Sequence, residues 1–176
     1  MCQLIQRIKH CSNMNGFVIF LFPIFFMIHE FEEIIMIEKW VAKNRSDITA
    51  RLPKISSIVG NMLAIDTRRF SIIVAEEFFI VSVSTVISAY LGNWILWYAC
   101  LGAFGIHLIG HLLQFIVWRK YMPAIVTTFL CLPYCVWAVC EAFDVFSLKE
   151  MFLYAIAGFV VCGINLSVMH KIVAVK

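Results

Sequence analysis

Five stretches of this chain, at about 17–37, 70–90, 94–117, 122–141 and 150–171, are apolar runs long enough to cross a bilayer. A crossing needs about 20 mostly apolar residues, and in hydrocarbon only helices and closed barrels satisfy their own backbone hydrogen bonds. Runs of this length read as helices, so the expected fold is all-α: a polytopic transmembrane bundle of about five spans. Composition agrees. Only 14% of residues are charged, against about 25% in an ordinary soluble domain. Five spans use most of the 176 residues, which leaves a single membrane domain over 1–176 and no extramembrane module.

Basic residues report orientation here rather than a nucleic-acid surface. Arg7, Lys9 and Lys149 fall on one side; Lys39, Lys43, Arg45, Arg51, Lys54, Arg68, Arg69, Arg119, Lys120, Lys171 and Lys176 fall on the other. Positive residues favour the cytoplasm, so the N-terminus is expected outside and the C-terminus inside. The first run is read as a retained helix: it continues past signal-peptide length and contains glutamates. The segment 38–69 is read as a cytoplasmic loop. Within it 53–65 is apolar but only 13 residues long, which suits an interfacial or re-entrant helix. Pro23 and Pro133 lie inside spans, where neighbours must satisfy the carbonyls they free. The seven cysteines include no CxxC pair and imply no disulfide framework. Trp40, Trp94, Trp97, Trp118 and Tyr121 are placed at the membrane interfaces.

Five of the eleven acidic residues fall inside the runs: Glu30, Glu32, Glu33, Glu76 and Glu77, with His29, His107 and His111. An intramembrane charge costs about 2.5–3.5 kcal/mol on the insertion scale, so something must compensate it. Counting from the cytoplasmic ends of three helices puts all of these groups roughly 6–15 Å below one surface. His29, Glu32 and Glu33 share one arc of the first helix; His107, His111 and Gln114 form an i, i+4, i+7 stripe. Glu77, Ser84 and Ser88 make a polar stripe on the second helix. Glu30 falls off the first arc and is expected to pair with a basic group or snorkel, outside the core site.

Imidazoles and carboxylates on facing helices are what carboxylate metal sites in bundles use. The expected ligands are His29, Glu33, Glu76, His107 and His111. Glu32 and Glu77 are the candidate catalytic carboxylates, left to move protons. The absence of thiolate suits one or two divalent ions of Zn, Fe or Mn. The plainer alternatives are a helix end snorkelling at His29–Glu33, ion pairs from Glu76 and Glu77 to Arg68 or Arg69, and packing histidines at His107 and His111. Thr127 and Thr128 read as back-bonding within their helix, and Asn165 as an interhelical hydrogen bond.

His29-Glu30-Phe31-Glu32-Glu33 reads H-x-x-E-E. With the histidine segment 107–111 and Tyr121-Met-Pro-Ala-Ile-Val-Thr-Thr128, it resembles the HXXEE-domain family of small prokaryotic integral membrane proteins, over about residues 20–135. The chain has Ala124 where the family pattern suggests Gly. The resemblance implies a prokaryotic cytoplasmic membrane and supports His29, Glu32 and Glu33 as site residues; it implies no particular chemistry.

Two functions of different class use the same cluster. One is a metal-dependent intramembrane enzyme, a hydrolase or an iron-dependent oxidase acting on membrane lipid or another apolar small molecule; no G-x-S-x-G or S-x-x-K setting supplies a nucleophile instead. The other is a cation or proton transporter, although no obvious inverted repeat is present and no buried acid is assigned to the outer half. A non-catalytic accessory subunit, its buried charges paired to a partner helix, is the third reading.

Overall fold

A computed structural model describes residues 14–51 and 66–174; the segment 53–65 and the N-terminal basic residues lie outside the described part. Every regular element in it is helical: α1 (Gly16–Arg51), α2 (Thr67–Leu91), α3 (Ile95–Trp118), α4 (Ile125–Ala142) and α5 (Leu148–Ala174). α2, α3, α4 and α5 are each long and apolar enough to cross a membrane, which makes the chain an integral membrane protein. α1 is not among these four, because its apolar stretch holds Glu30, Glu32 and Glu33. Large apolar side chains such as Phe17, Phe79, Val117, Val136 and Val161 point outward.

α1 differs from expectation at its end. The expected loop from 38 is helical to Arg51, giving a 36-residue helix. At 1.5 Å per residue that is about 54 Å, well beyond a hydrocarbon core of about 30 Å. The sequence from Glu38 to Arg51 contains no glycine or proline to stop it. Contacts to the α3–α4 connection hold the extension: the Trp40 indole N–H donates to the Tyr121 carbonyl at 2.8 Å, and Lys120 pairs with Asp47 at 3.1 Å.

α1 packs against α2, α4 and α3, while α5 lies along α3 and touches α2. The α3–α5 seam is built from small residues. A Cβ on Gly102 would lie 2.6 Å from that of Ala155, and one on Gly158 would run into the Ala99 carbonyl. Close backbone approach through small residues is how helices associate where lipid is as apolar as their side chains.

Pro23 explains much of the core. Its missing N–H frees the carbonyl of Ile19, one turn earlier. The Trp97 indole N–H takes it at 3.3 Å, and the Tyr134 hydroxyl donates to the adjacent Val18 carbonyl at 2.8 Å. Trp97 is therefore fully buried and does not face lipid. Trp94 and Trp118 are buried as well, and only Trp40 and Tyr121 keep the half-exposed positions expected of a belt. Around this point Phe22 packs on Trp97 and Phe104, and Phe26 on Phe104.

Ala124, just before α4, is fully buried with φ +70°, in the left-handed region. A Cβ there is disfavoured by about 1–2 kcal/mol, and glycine is free of that cost. Ala124→Gly should therefore raise the midpoint of thermal unfolding in detergent, by about 1 kcal/mol of stability. An unchanged or lower midpoint would show that packing of the Ala124 methyl outweighs the backbone strain.

Candidate metal centre

α4 begins without a cap of its own, since Ala124 offers no side-chain acceptor. Helix N-termini leave backbone N–H groups unsatisfied and carry partial positive charge. Glu32 of α1 supplies what is missing. Its Oε2 accepts the Thr127 backbone N–H at 2.8 Å and the Thr127 hydroxyl at 2.7 Å; its Oε1 accepts the Tyr121 hydroxyl at 2.8 Å. Burial, and then this bond to a carboxylate, push the Tyr121 phenol up to about 12, so it stays a donor at neutral pH. One turn and a half further along α1, Glu38 accepts both the backbone N–H and the hydroxyl of Thr67, the first residue of α2.

Thr127 also touches His29. Its hydroxyl oxygen lies 3.3 Å from His29 Nδ1. A hydroxyl has one proton, and the short bond to a carboxylate claims it. The oxygen therefore accepts from His29, which places the imidazole proton on Nδ1 and leaves a lone pair on Nε2. His29 is completely buried, and Nε2 has no hydrogen-bond partner. Ligating histidines are held in this way, with one ring nitrogen tied to an outer acceptor and the other directed inward.

The other two imidazoles close the pocket. The His29 ring centroid lies 5.2 Å from that of His107 and 5.1 Å from that of His111. His107 Nε2 and His111 Nε2 are 2.9 Å apart, and His111 Nε2 is 3.2 Å from Glu33 Oε1. Donors about 2.0–2.1 Å from a tetrahedral ion sit roughly 3.3 Å from one another, so these spacings are near those of a ligand shell. His29, His107 and His111 form one group able to converge on an ion; Glu30, Glu33 and His107 form a second. Phe104 packs edge-on against His29 and separates the pocket from the aromatic core.

His29, Glu33, His107 and His111 thus meet as the sequence suggests. Glu32 lies beside them, engaged with α4. Glu76 and Glu77 turn to α5: Asn165 donates to Glu76 at 2.8 Å, and the Cys162 thiol lies 3.7 Å from Glu77. Asn165 makes the expected interhelical bond. Arg69 pairs with Asp66, not with either glutamate. Glu77 stays within Coulombic range of Glu30 and Glu33.

Two readings need correction. Glu30 pairs with no basic group among the described residues and does not snorkel; it is buried at 4% exposure and faces Glu33, its i+3 neighbour. The single-arc picture fails because α1 is packed on several sides, so more than one of its faces is internal. Thr127 back-bonds to the Ala124 carbonyl at 3.2 Å as expected, and its hydroxyl also serves Glu32 and His29; the buried Thr128 hydroxyl has no partner among the described residues. One signal for Thr127 was legible, since a helix start without Ser, Thr, Asp or Asn before it needs an acceptor from elsewhere.

Fold and site together define a small helical membrane protein with a buried His/Glu cluster. The chain belongs to the family described as "Protein of unknown function with HXXEE motif", whose model matches residues 20–138. No curated protein and no solved structure matches the chain.

Thr127 can be tested directly. Thr127→Val removes the hydroxyl shared by Glu32 and His29 and should destabilise by about 1.5–3 kcal/mol, the range for hydrogen bonds to a charged group. Thr127→Ser should keep most of that stability in the same thermal melt. Equal melts for the two variants would mean that the hydroxyl carries none of it.

Proposed function

We propose that this protein is a metal-dependent enzyme of the membrane interior, with His29, His107, His111 and Glu33 holding a divalent ion of Zn, Fe or Mn. The observation that carries the reading is the buried, unpartnered Nε2 of His29, on a ring that offers a donor atom within 4.8 Å of donors from His107 and His111. An unpaired buried polar atom is costly, and a cation removes that cost. The donor set of three nitrogens and one oxygen fits these ions.

An ion there would supply Lewis acidity to a water molecule or a substrate oxygen. The remaining steps belong to the chain. Thr127 and Glu32 orient His29, which makes Glu32 a positioning residue and not a proton carrier. Glu77, within Coulombic range of Glu33 and held only by a weak thiol contact, is assigned the transfer of a proton. Phe22, Phe26 and Phe104 keep bulk water from the deep side. The substrate class is a lipid-like or otherwise apolar molecule that arrives from the bilayer. Hydrolysis is the favoured reaction; an iron-dependent oxidation is the alternative if the resident ion is iron.

In this reading α1 is the first of five spans. The N-terminus is outside, the C-terminus and the α1 extension are cytoplasmic, and the membrane is the prokaryotic cytoplasmic membrane. A transporter built on the same cluster would need titratable steps across the other half. Between the cluster and the surface-level Glu141 and Glu150, the described residues place no His, Asp or Glu. That layer is filled by Phe22, Trp97, Leu101 and Phe104.

Three measurements test the proposal. Mass-spectrometric metal analysis of the detergent-purified chain should find bound Zn, Fe or Mn, and His29→Ala should lower it at least tenfold with helicity unchanged. Metal-free protein that carries protons or cations into liposomes would overturn the enzyme in favour of transport. For orientation, single cysteines replacing Asp144 and Lys43 in a cysteine-free background should respond oppositely to an impermeant maleimide on intact cells. Asp144→Cys should label and Lys43→Cys should not; the reverse pattern would invert the topology.

A further inference from the structure

We propose that the centre takes two divalent cations, the second held by Glu30, Glu33 and His107, with the Glu33 carboxylate bridging them. The inference rests on the reading of the first position given above and assigns a role to Glu30, which that reading leaves unused.

Three observations lead to it. Glu30, Glu33 and His107 offer one donor atom each within 4.8 Å of one another, a group distinct from His29, His107 and His111. The two groups are joined, because Glu33 Oε1 is 3.2 Å from His111 Nε2 while Glu33 is also a member of the second group. Glu30 is buried, at 4% exposure, and makes no hydrogen bond or ion pair among the described residues.

The surroundings of these carboxylates support the geometry. Glu30, Glu33 and Glu77 lie close enough to repel one another. Among the described residues, no lysine or arginine pairs with any of them: Arg69 is held by Asp66 and Lys120 by Asp47. The first position reaches Glu33 but leaves the buried Glu30 carboxylate beside it with no positive partner. A second ion removes that deficit.

An imidazole nitrogen gives its lone pair to one ion. With both positions filled, His29 and His111 therefore serve the first ion and His107 the second. The two oxygens of Glu33 then span the pair, in the manner of carboxylate-bridged sites whose ions sit about 3.5–4 Å apart. The class of ligand is a pair of hard or borderline divalent cations, Mn, Fe or Zn.

Manganese provides a readout that does not depend on activity. The full chain in detergent, freed of metal and titrated with Mn(II), should saturate near two ions per chain. Its electron paramagnetic resonance spectrum at saturation should be broadened by spin coupling. Glu30→Gln, which preserves shape, should saturate near one ion, show an uncoupled six-line spectrum, and melt within a few degrees of the unaltered chain. If the unaltered chain saturates at one ion with a six-line spectrum that Glu30→Gln leaves unchanged, the second position is wrong while the first stands. If it binds no manganese, zinc or iron, both positions fall together.

Discussion

The structure depends on where α1 can put its carboxylates. Glu30, Glu32 and Glu33 sit in a helix otherwise apolar enough to be buried, and none has a lysine or arginine partner among the described residues. Each must find another source of positive potential. Glu32 finds the N-terminus of α4, and Glu38 finds that of α2. These are the same physical interaction used twice: a carboxylate meets unsatisfied backbone N–H groups at the positive end of a helix dipole. α1 therefore organises the bundle electrostatically, because two other helices start where its glutamates are.

That arrangement has a consequence for the histidines. Once Glu32 fixes Thr127, the hydroxyl of Thr127 faces His29 and decides which ring nitrogen carries the proton. The unprotonated Nε2 is then left without a partner, on a ring that packs against those of His107 and His111. Pro23 acts from the other end of the same helix. By freeing the Ile19 carbonyl it draws Trp97 inward, and the aromatic layer around Phe22 and Phe104 follows. The pocket is thus polar toward the start of α4 and apolar behind His29.

Much of this was legible in the sequence because lipid leaves few choices. Apolar run length located α2, α3, α4 and α5 to within three residues at either end. The i, i+4 spacings of His29 with Glu33 and of His107 with His111 located the meeting point. What stayed hidden depended on contacts between helices. Glu30 looked external because a single helical arc was assumed, whereas α1 has neighbours on several sides. The extension of α1 to Arg51 was read as loop because charged residues mark the end of a span without marking the end of a helix. Trp97 was read as a lipid-facing belt residue from its place near a span end, although Pro23 had already created a buried acceptor for its indole. Glu76 and Glu77 pointed toward polar partners, but no periodicity on α2 could show that those partners were Asn165 and Cys162 of α5.

The H-x-x-E-E spacing can now be read as a division of labour. Adjacent glutamates on a helix diverge by about 100°, so they cannot serve the same neighbour. Glu32 turns to α4 and Glu33 to α3, where it meets His111. His29 sits three and four residues before them, on the arc between, and so touches both environments: Thr127 on the α4 side and the imidazoles on the α3 side. Moving either glutamate by one position would rotate it away from its partner, and moving the histidine would separate its two nitrogens from the groups they face. The motif is therefore a three-helix junction written on one helix. Its second position, Glu30, is set by the same geometry: it lies about 60° beyond Glu33 on the side away from His29, and reaches the layer shared with Glu33 and His107.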